Sequence, residues 1–366
     1  MKKALIGMSV LLAAGSAAAQ SSVTLYGLVD TGLQYEKFKE RDTDGFTRRT
    51  GETKLVSGVV NGSRLGIKGT EDLGNGLKAT FNYELGFKSN TGAFSTYGDN
   101  DSLTGFGRAA TVGLSGNFGH IRLGRDTTAG DNLLGATSAD GVSAVGTANR
   151  VLLLGHSNLV KDNLITDRLS GVHYSGSFGA VNVDAFYAPD QVSKNVEPTK
   201  TVKTNKAGYG VGVNYAQGPV LVGVAAQQLR NKVTENGAAT THRADTEWIV
   251  GGTYDFNVAK LYANYIQNTA NYKLSGFKPR YSEANLGVTV PFGAASLIAE
   301  YSYNRYKEND SKARNSHDFM VGANYAFSKR TDVYTRVSRL NAPKNAETGL
   351  RKDSLTAVAV GLRHRF

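Results

Sequence analysis

Apolar and polar residues alternate with period two along almost the whole chain, and no other feature constrains the fold as strongly. Val23, Leu25, Gly27 and Val29 alternate with Thr24, Tyr26, Leu28 and Asp30, and Leu65 and Ile67 alternate with Arg64, Gly66 and Lys68. The same rhythm runs through Val181, Val183, Ala185 and Tyr187, then Tyr209, Val211, Val213 and Tyr215, and again through Phe319, Val321, Ala323, Tyr325 and Phe327. Successive side chains of a strand point to opposite sides, so the pattern predicts strands with one apolar and one polar face. By itself it leaves two solutions open: a soluble sandwich with its apolar face inward, or a barrel with that face toward lipid.

The connectors separate the two. Short, turn-forming connectors stand at 72–76, 117–119, 178–179, 217–219, 255–257, 292–293 and 327–329. Between them lie long polar stretches at 36–60, 89–104, 126–167, 189–206, 230–243, 269–280, 306–315 and 340–353. Seven tight turns and eight long loops require about sixteen strands. Tight turns on one rim and long loops on the other are the signature of bacterial transmembrane barrels, and a sandwich has no reason to sort its connectors so.

The start of the chain sets the compartment. Lys2 and Lys3 precede an apolar stretch from Ala4 to Ala14 and the small residues Ala17, Ala18 and Ala19, the layout of a secretory signal peptide. Cleavage is expected before Gln20, giving a leader at 1–19 and a barrel domain at 20–366. Beyond the leader no apolar run approaches the ~18 residues of a spanning helix, so an exported membrane protein of this sequence must cross as a closed barrel. Composition agrees: 43 Gly without a collagen period, only 6 Pro, and no Cys, which excludes disulfides, thiolate metal sites and thiol catalysis. The net charge of +11 falls to +9 with the leader removed, and its Lys and Arg are spread singly beside acids, which argues against nucleic acid as a partner.

Two further features favour the membrane. Phe81, Tyr83, Phe87, Phe118, Phe178, Phe186, Tyr187, Phe256, Tyr262, Tyr265, Phe292 and Phe327 gather near strand ends, where aromatic rings form interfacial girdles. The last segment sets Val358, Val360, Leu362, His364 and Phe366 against Ala357, Ala359, Gly361, Arg363 and Arg365. Pairing of this final strand with the first would leave no free sheet edge.

Ser21-Ser22-Val23-Thr24-Leu25-Tyr26-Gly27-Leu28-Val29-Asp30 resembles the opening strand of the Gram-negative general porins. Gly62-Ser63-Arg64-Leu65-Gly66-Ile67-Lys68-Gly69, Glu71-Asp72-Leu73-Gly74-Asn75-Gly76-Leu77, 107–114, 123–125 and 360–366 resemble further segments of that family, in order along the chain. The resemblance implies an all-β, 16-stranded antiparallel transmembrane barrel in the outer membrane, with short periplasmic turns and long extracellular loops. It further implies a homotrimer amid membrane lipid and lipopolysaccharide, each pore narrowed by an infolded third loop and passing small hydrophilic solutes and inorganic anions. A substrate-specific channel, an adhesin or a barrel hydrolase are the alternatives.

Arg64 and Lys68 alternate with outward Leu65 and Ile67 and so should point into the lumen. The resemblance places Arg64, Arg108 and Arg168 in a basic cluster on the pore wall. Parity resists the last two: Arg108 is in phase with Ala110, Val112 and Leu114, and Arg168 with Val172 and Tyr174, so a bulge or a wall buried between protomers is needed. Arg150 competes with Arg168. The long third loop carries Asp126, Asp131, Asp140 and Asp162, of which Asp131 and Asp140 are the candidates to face the basic wall, a structural or solvated role being the alternative for each. The family's Pro-Glu-Phe-Gly tip is replaced here by Gly-rich and apolar segments. The six His show no metal-ligand spacing and no Ser stands in a G-x-S-x-G elbow, so neither a metal, a cofactor nor a catalytic residue is expected. Gly208, Gly210 and Gly212 mimic part of a dinucleotide fingerprint, but no helix follows and a small-residue lumen face is the simpler reading.

Overall fold

The computed structural model describes residues 22–41, 46–95, 105–141, 168–197, 199–309, 312–342 and 352–366. The leader at 1–19, Arg150 and Asp162 lie outside them. The strands are β1 (Ser22–Arg41), β2 (Thr47–Ser57), β3 (Arg64–Gly74), β4 (Leu77–Gly86), β5 (Ala109–Gly116), β6 (Gly119–Thr127), β7 (Arg168–Phe178), β8 (Val181–Glu197) and β9 (Lys200–Gln217). They continue as β10 (Val220–Glu235), β11 (Ala238–Asp255), β12 (Lys260–Tyr272), β13 (Pro279–Phe292), β14 (Ala295–Glu308), β15 (Arg314–Ala326), β16 (Thr331–Ala342) and β17 (Lys352–Arg365). One described helix, α1 (Ala129–Thr137), stands between β6 and β7.

Every strand pairs antiparallel with its sequence neighbour, except that β2 and β3 both pair with β1, and β17 returns to β1 with Leu28 opposite Arg365 and Arg41 opposite Lys352. The sheet is therefore closed. Its seventeen strands make sixteen staves, because β2 and β3 pair with successive parts of β1: Thr31–Arg41 against β2 and Ser22–Leu28 against β3. The last residue completes the closure: the Phe366 amide donates to the Gly27 carbonyl at 3.1 Å, and its ring lies where a Gly27 side chain would be.

The alternation read from the sequence is the alternation of the wall. Val23, Leu25, Ile67, Val112, Val211, Val224, Leu286, Val321 and Val360 are exposed on the outside, whereas Leu28, Asp30, Glu247, Asn285 and Asp318 on the opposite face are buried. Phe178, Phe256, Phe292 and Phe327 are exposed beside the tight turns. Phe186 departs from the girdle: it is buried with Ala129, Leu169 and Leu229, because its parity is opposite to that of the exposed Tyr187.

Three of the long polar stretches, 36–60, 189–206 and 230–243, are largely strand. β1 and β2 take up 17 of the 25 positions of 36–60, and β8 to β11 run 16–18 residues each, with β10 and β11 joined at the loop rim by 236–237 alone. Above the apolar band both faces of a hairpin are wet, so the hydrogen-bonded ladder persists after the apolar alternation ends. A few staves away the wall is low: β5 and β6 have only 8 and 9 residues.

Candidate functional site: the inner wall at mid-barrel

Helix α1 enters the lumen directly after β6. Thr128 caps it, its hydroxyl accepting from the Asp131 amide at 3.3 Å, and Asp131 occupies the first turn, where a carboxylate suits the helix dipole. Leu133 and Leu134 are buried against Ala225, Ile249 and Ile266 on the inner faces of β10, β11 and β12. Glycines in the wall make the seat: a Cβ on Gly251 would come within 2.8 Å of the Thr137 hydroxyl, and one on Gly287 within 2.8 Å of the Ala139 Cβ. Gly212 continues this trough under Ala129, so the small-residue face of β9 is a seat for the helix.

Polar contacts lock the helix at both ends. The Gly130 amide donates to Gln227 Oε1 at 3.1 Å, and Gln227 Nε2 donates in turn to the fully buried Glu247 at 2.9 Å. At the far end Arg336 grips Asp140 with two bonds, Nε to Oδ2 at 3.0 Å and Nη2 to Oδ1 at 2.6 Å. The Asp140 amide donates to Glu300 Oε1 at 2.8 Å. Both members of the ion pair are buried, so Asp140 fastens the loop to β16. Asp131 is half-buried on the helix, close enough to Glu247 for their charges to interact.

On the wall facing the helix, Arg64 and Lys68 lie on the inner face of β3. Their ladder partners are Gly86 and Asn82 of β4, in phase with Glu84. Glu84 is the meeting point: Arg108 Nε donates to its Oε1 at 2.6 Å, Arg64 Nε stands 3.6 Å from its Oε2, and the Tyr26 hydroxyl donates to Oε2 at 3.0 Å. Arg108 precedes β5, whose ladder to β4 begins at Ala109. It lies outside the strand, so strand parity does not govern its side chain, and neither a bulge nor a buried wall is needed. Arg168 opens β7, and its Nη1 donates to the Arg108 carbonyl at 2.6 Å. The charges of Arg108 and Arg168 both reach Arg64. Lys68 Nζ sits 5.1 Å from the centre of the Tyr26 ring, one step toward the turn rim, with no carboxylate in ion-pair range among the described residues.

Sequence reasoning did not single out Glu84, Arg122, Arg336 or Asp30. Each had a parity signal: Glu84 lies between outward Tyr83 and Leu85, and Arg122 between Ile121 and Leu123. What parity could not supply was the partner. Arg122 pairs with Asp126 at 2.8 Å on its own strand, whereas Arg336 pairs with a residue 196 positions away.

A family description for Gram-negative porins matches residues 4–345. Among curated relatives, the outer membrane porin protein 32 of Delftia acidovorans is 34% identical and an outer membrane porin protein of Bordetella pertussis 31% identical, each aligned over 100% of both chains. Among solved structures, an anion-selective porin from Comamonas acidovorans superposes with a TM-score of 0.72 at 28% identity, covering 95% of this chain and 100% of that one. With a closed barrel, a polar lumen and a helix folded into it, the chain belongs to the Gram-negative porins, the pore-forming barrels of the outer membrane.

Proposed function

We propose that this porin admits small hydrophilic solutes and inorganic ions by passive diffusion as a homotrimer, and that it prefers anions. The observation that carries the preference is the gathering of Arg64 and Arg108 on Glu84, with Arg168 bonded to the Arg108 carbonyl and Lys68 on the inner face of the same strand as Arg64. Fixed charges at a narrow, low-dielectric passage act on an ion far more strongly than charges on an open rim, and rings of basic side chains select anions. Of the two third-loop candidates, Asp140 is buried in its pair with Arg336, and Asp131, half-buried in the first turn of α1, is the one we place toward the basic wall. The anion-selective porin from Comamonas acidovorans, alike over nearly the whole chain, supports the same sign. The low wall at β5 and β6 supports the trimer, since a shortened wall suits the side screened by neighbouring protomers.

Planar-bilayer recording tests both parts. Each insertion should close in three equal steps, and the reversal potential across a potassium chloride gradient should have the anion sign. Arg64→Ser should move that potential toward cations and raise conductance modestly. A cation-signed parent, or an Arg64→Ser channel with an unchanged potential, would defeat the selectivity reading.

A further inference from the structure

A second element enters the lumen besides α1. On β1, Thr31 pairs with Ser57 and Leu28 with Arg64, so the six residues 58–63 are opposed by only Val29 and Asp30. The surplus chain has to leave the wall. Toward lipid it would carry unsatisfied amides into hydrocarbon, at several kcal/mol for each group. It folds inward: Val59 and Val60 are 1% and 5% exposed and pack on Tyr334, Ala357 and Ala359, which line the inner faces of β16 and β17. Gly32 of β1 leaves the room, since a Cβ there would meet Val59 at 3.1 Å.

One buried carboxylate holds this infold. Asp30 Oδ2 accepts from the backbone amides of Val60 at 3.0 Å and Asn61 at 2.7 Å, while Oδ1 accepts from the Tyr334 hydroxyl. The Asp30 carbonyl accepts from the Gly58 amide and from the Ser63 hydroxyl, and the Asp30 amide donates to that same hydroxyl. The tip then meets three arginines from different parts of the wall. Arg363 Nη1 donates to Asn61 Oδ1, Arg64 Nη1 donates to the Gly62 carbonyl at 3.4 Å, and Arg108 Nη1 lies 3.2 Å from where a Gly62 Cβ would be. The side-chain nitrogen of Asn61 has no partner among the described residues, and Gly62 is exposed.

Position around the ring adds the second argument. The infold is centred on β1, and α1 packs on β8 to β12, centred on β10, which is eight staves from β1 in either direction around the sixteen. Side chains of β16 also link the segment that follows α1 to the infold: Arg336 holds Asp140, and its guanidinium lies 5.5 Å over the ring of Tyr334, which holds Asp30.

We infer that residues 58–63 form a second constriction element facing α1, with Asn61 and Gly62 lining the passage and Asp30 as the positioning residue that sets where Arg64, Arg108 and Arg363 stand. An anionic solute at the narrow point then meets guanidinium groups together with the side-chain N–H of Asn61, the donor set suited to a carboxylate or phosphate. This deepens the reading of the basic wall as the narrow passage and rests on it.

The chain has no cysteine, so single thiols can be introduced into an unreactive background. Asn61→Cys and Gly62→Cys channels, held open in a bilayer, are treated with a small sulfonate-bearing thiosulfonate reagent. Reaction should lower conductance in discrete steps and turn the reversal potential toward cations, while Val23→Cys, 63% exposed on the outer face, should leave both unchanged. Complete modification of either inner thiol, verified by mass, with unaltered conductance would overturn the lining role; so would failure of both inner thiols to react in folded channels. Asp30→Asn tests positioning: a folded channel should lose several-fold of its anion preference, with Asp30→Glu recovering part of it, and an unchanged potential overturns that role. If Asp30→Asn does not fold, Ser63→Ala, which removes the hydroxyl bonded to Asp30, takes its place under the same criterion. Block at Asn61→Cys in a channel of cationic parent preference would sink the selectivity proposal and leave the infold standing, whereas the converse result separates them the other way.

Discussion

At the residue scale, the charge that matters most is the one shared. Glu84 is mostly buried between Arg64 and Arg108 and also accepts from Tyr26. It offsets part of the basic field and at the same time orients two guanidinium groups. Glu84→Gln keeps the shape and removes the charge, so the reversal potential should move further to the anion side. Positioning should suffer as well, because a neutral acceptor holds a guanidinium about half as strongly as a charged one. Greater anion preference with noisier open-channel current is the expected result, and a shift toward cations would show that the carboxylate acts mainly by holding Arg108 in place. The inward placement of Arg64 was legible in the sequence from its alternation with Leu65 and Ile67. That of Arg108 was legible only through resemblance, because parity reasoning fails for a residue just outside a strand end.

At the element scale, α1 stays in the lumen because the wall has been hollowed for it. Its apolar side is short, with Leu133 and Leu134 as the main buried side chains, and a nine-residue helix has little stability of its own. The trough and the Asp140–Arg336 clamp supply what the helix lacks. Gly251→Leu would drive a side chain into Thr137, and overpacking of this kind costs about 1–3 kcal/mol. The barrel itself has many other ladders, so the folded, heat-modifiable form should persist on electrophoresis while the helix is displaced and conductance rises. Asp140→Asn should act similarly by leaving Arg336 buried without its charge partner, a loss of about 3–5 kcal/mol. Unchanged conductance in both variants would show that α1 does not bound the passage. Nothing in the local sequence marks the glycines of β11 and β13 as a seat; their meaning depends on a helix more than a hundred positions away.

At the scale of the whole molecule, the net charge and the pore are separate matters. On the outer faces near the loop rim Lys194 stands opposite Lys203, Lys232 opposite His242, and Arg280 opposite Lys307. The inner faces of the neighbouring strands carry Asp245, Glu247, Glu283 and Asp318. The overall excess of positive charge therefore says little about the lumen, and in the function proposed above it is the local cluster at Arg64 and Arg108 that sets the sign of selectivity. Such a short-range origin makes the preference sensitive to salt: the screening length falls from ~10 Å at 0.1 M to ~3 Å at 1 M. Reversal potentials measured at a fixed concentration ratio should shrink steadily as total salt rises over that range, and a preference that holds constant would point to selection by size.

The sequence by itself determined the wall. A period of two fixes which side chains face lipid, turn formers at one rim and polar stretches at the other fix the number and direction of the staves, and an alternating final segment ending on Phe366 meets the first strand. These are local properties, carried by the strands of the apolar band one by one, whereas β2, polar along most of its length, lacks the signal. The interior was decided only by tertiary structure. Whether Asp140 faces an ion or a guanidinium, whether 58–63 loops outward or inward, and whether the glycines of β9, β11 and β13 are turns, gaps or a seat depend on what stands across the barrel. Closure brings Asp30 to Tyr334 across 304 positions and Asp140 to Arg336 across 196. Pairings of that range leave no periodicity in the chain, because the two partners share neither a strand nor a turn.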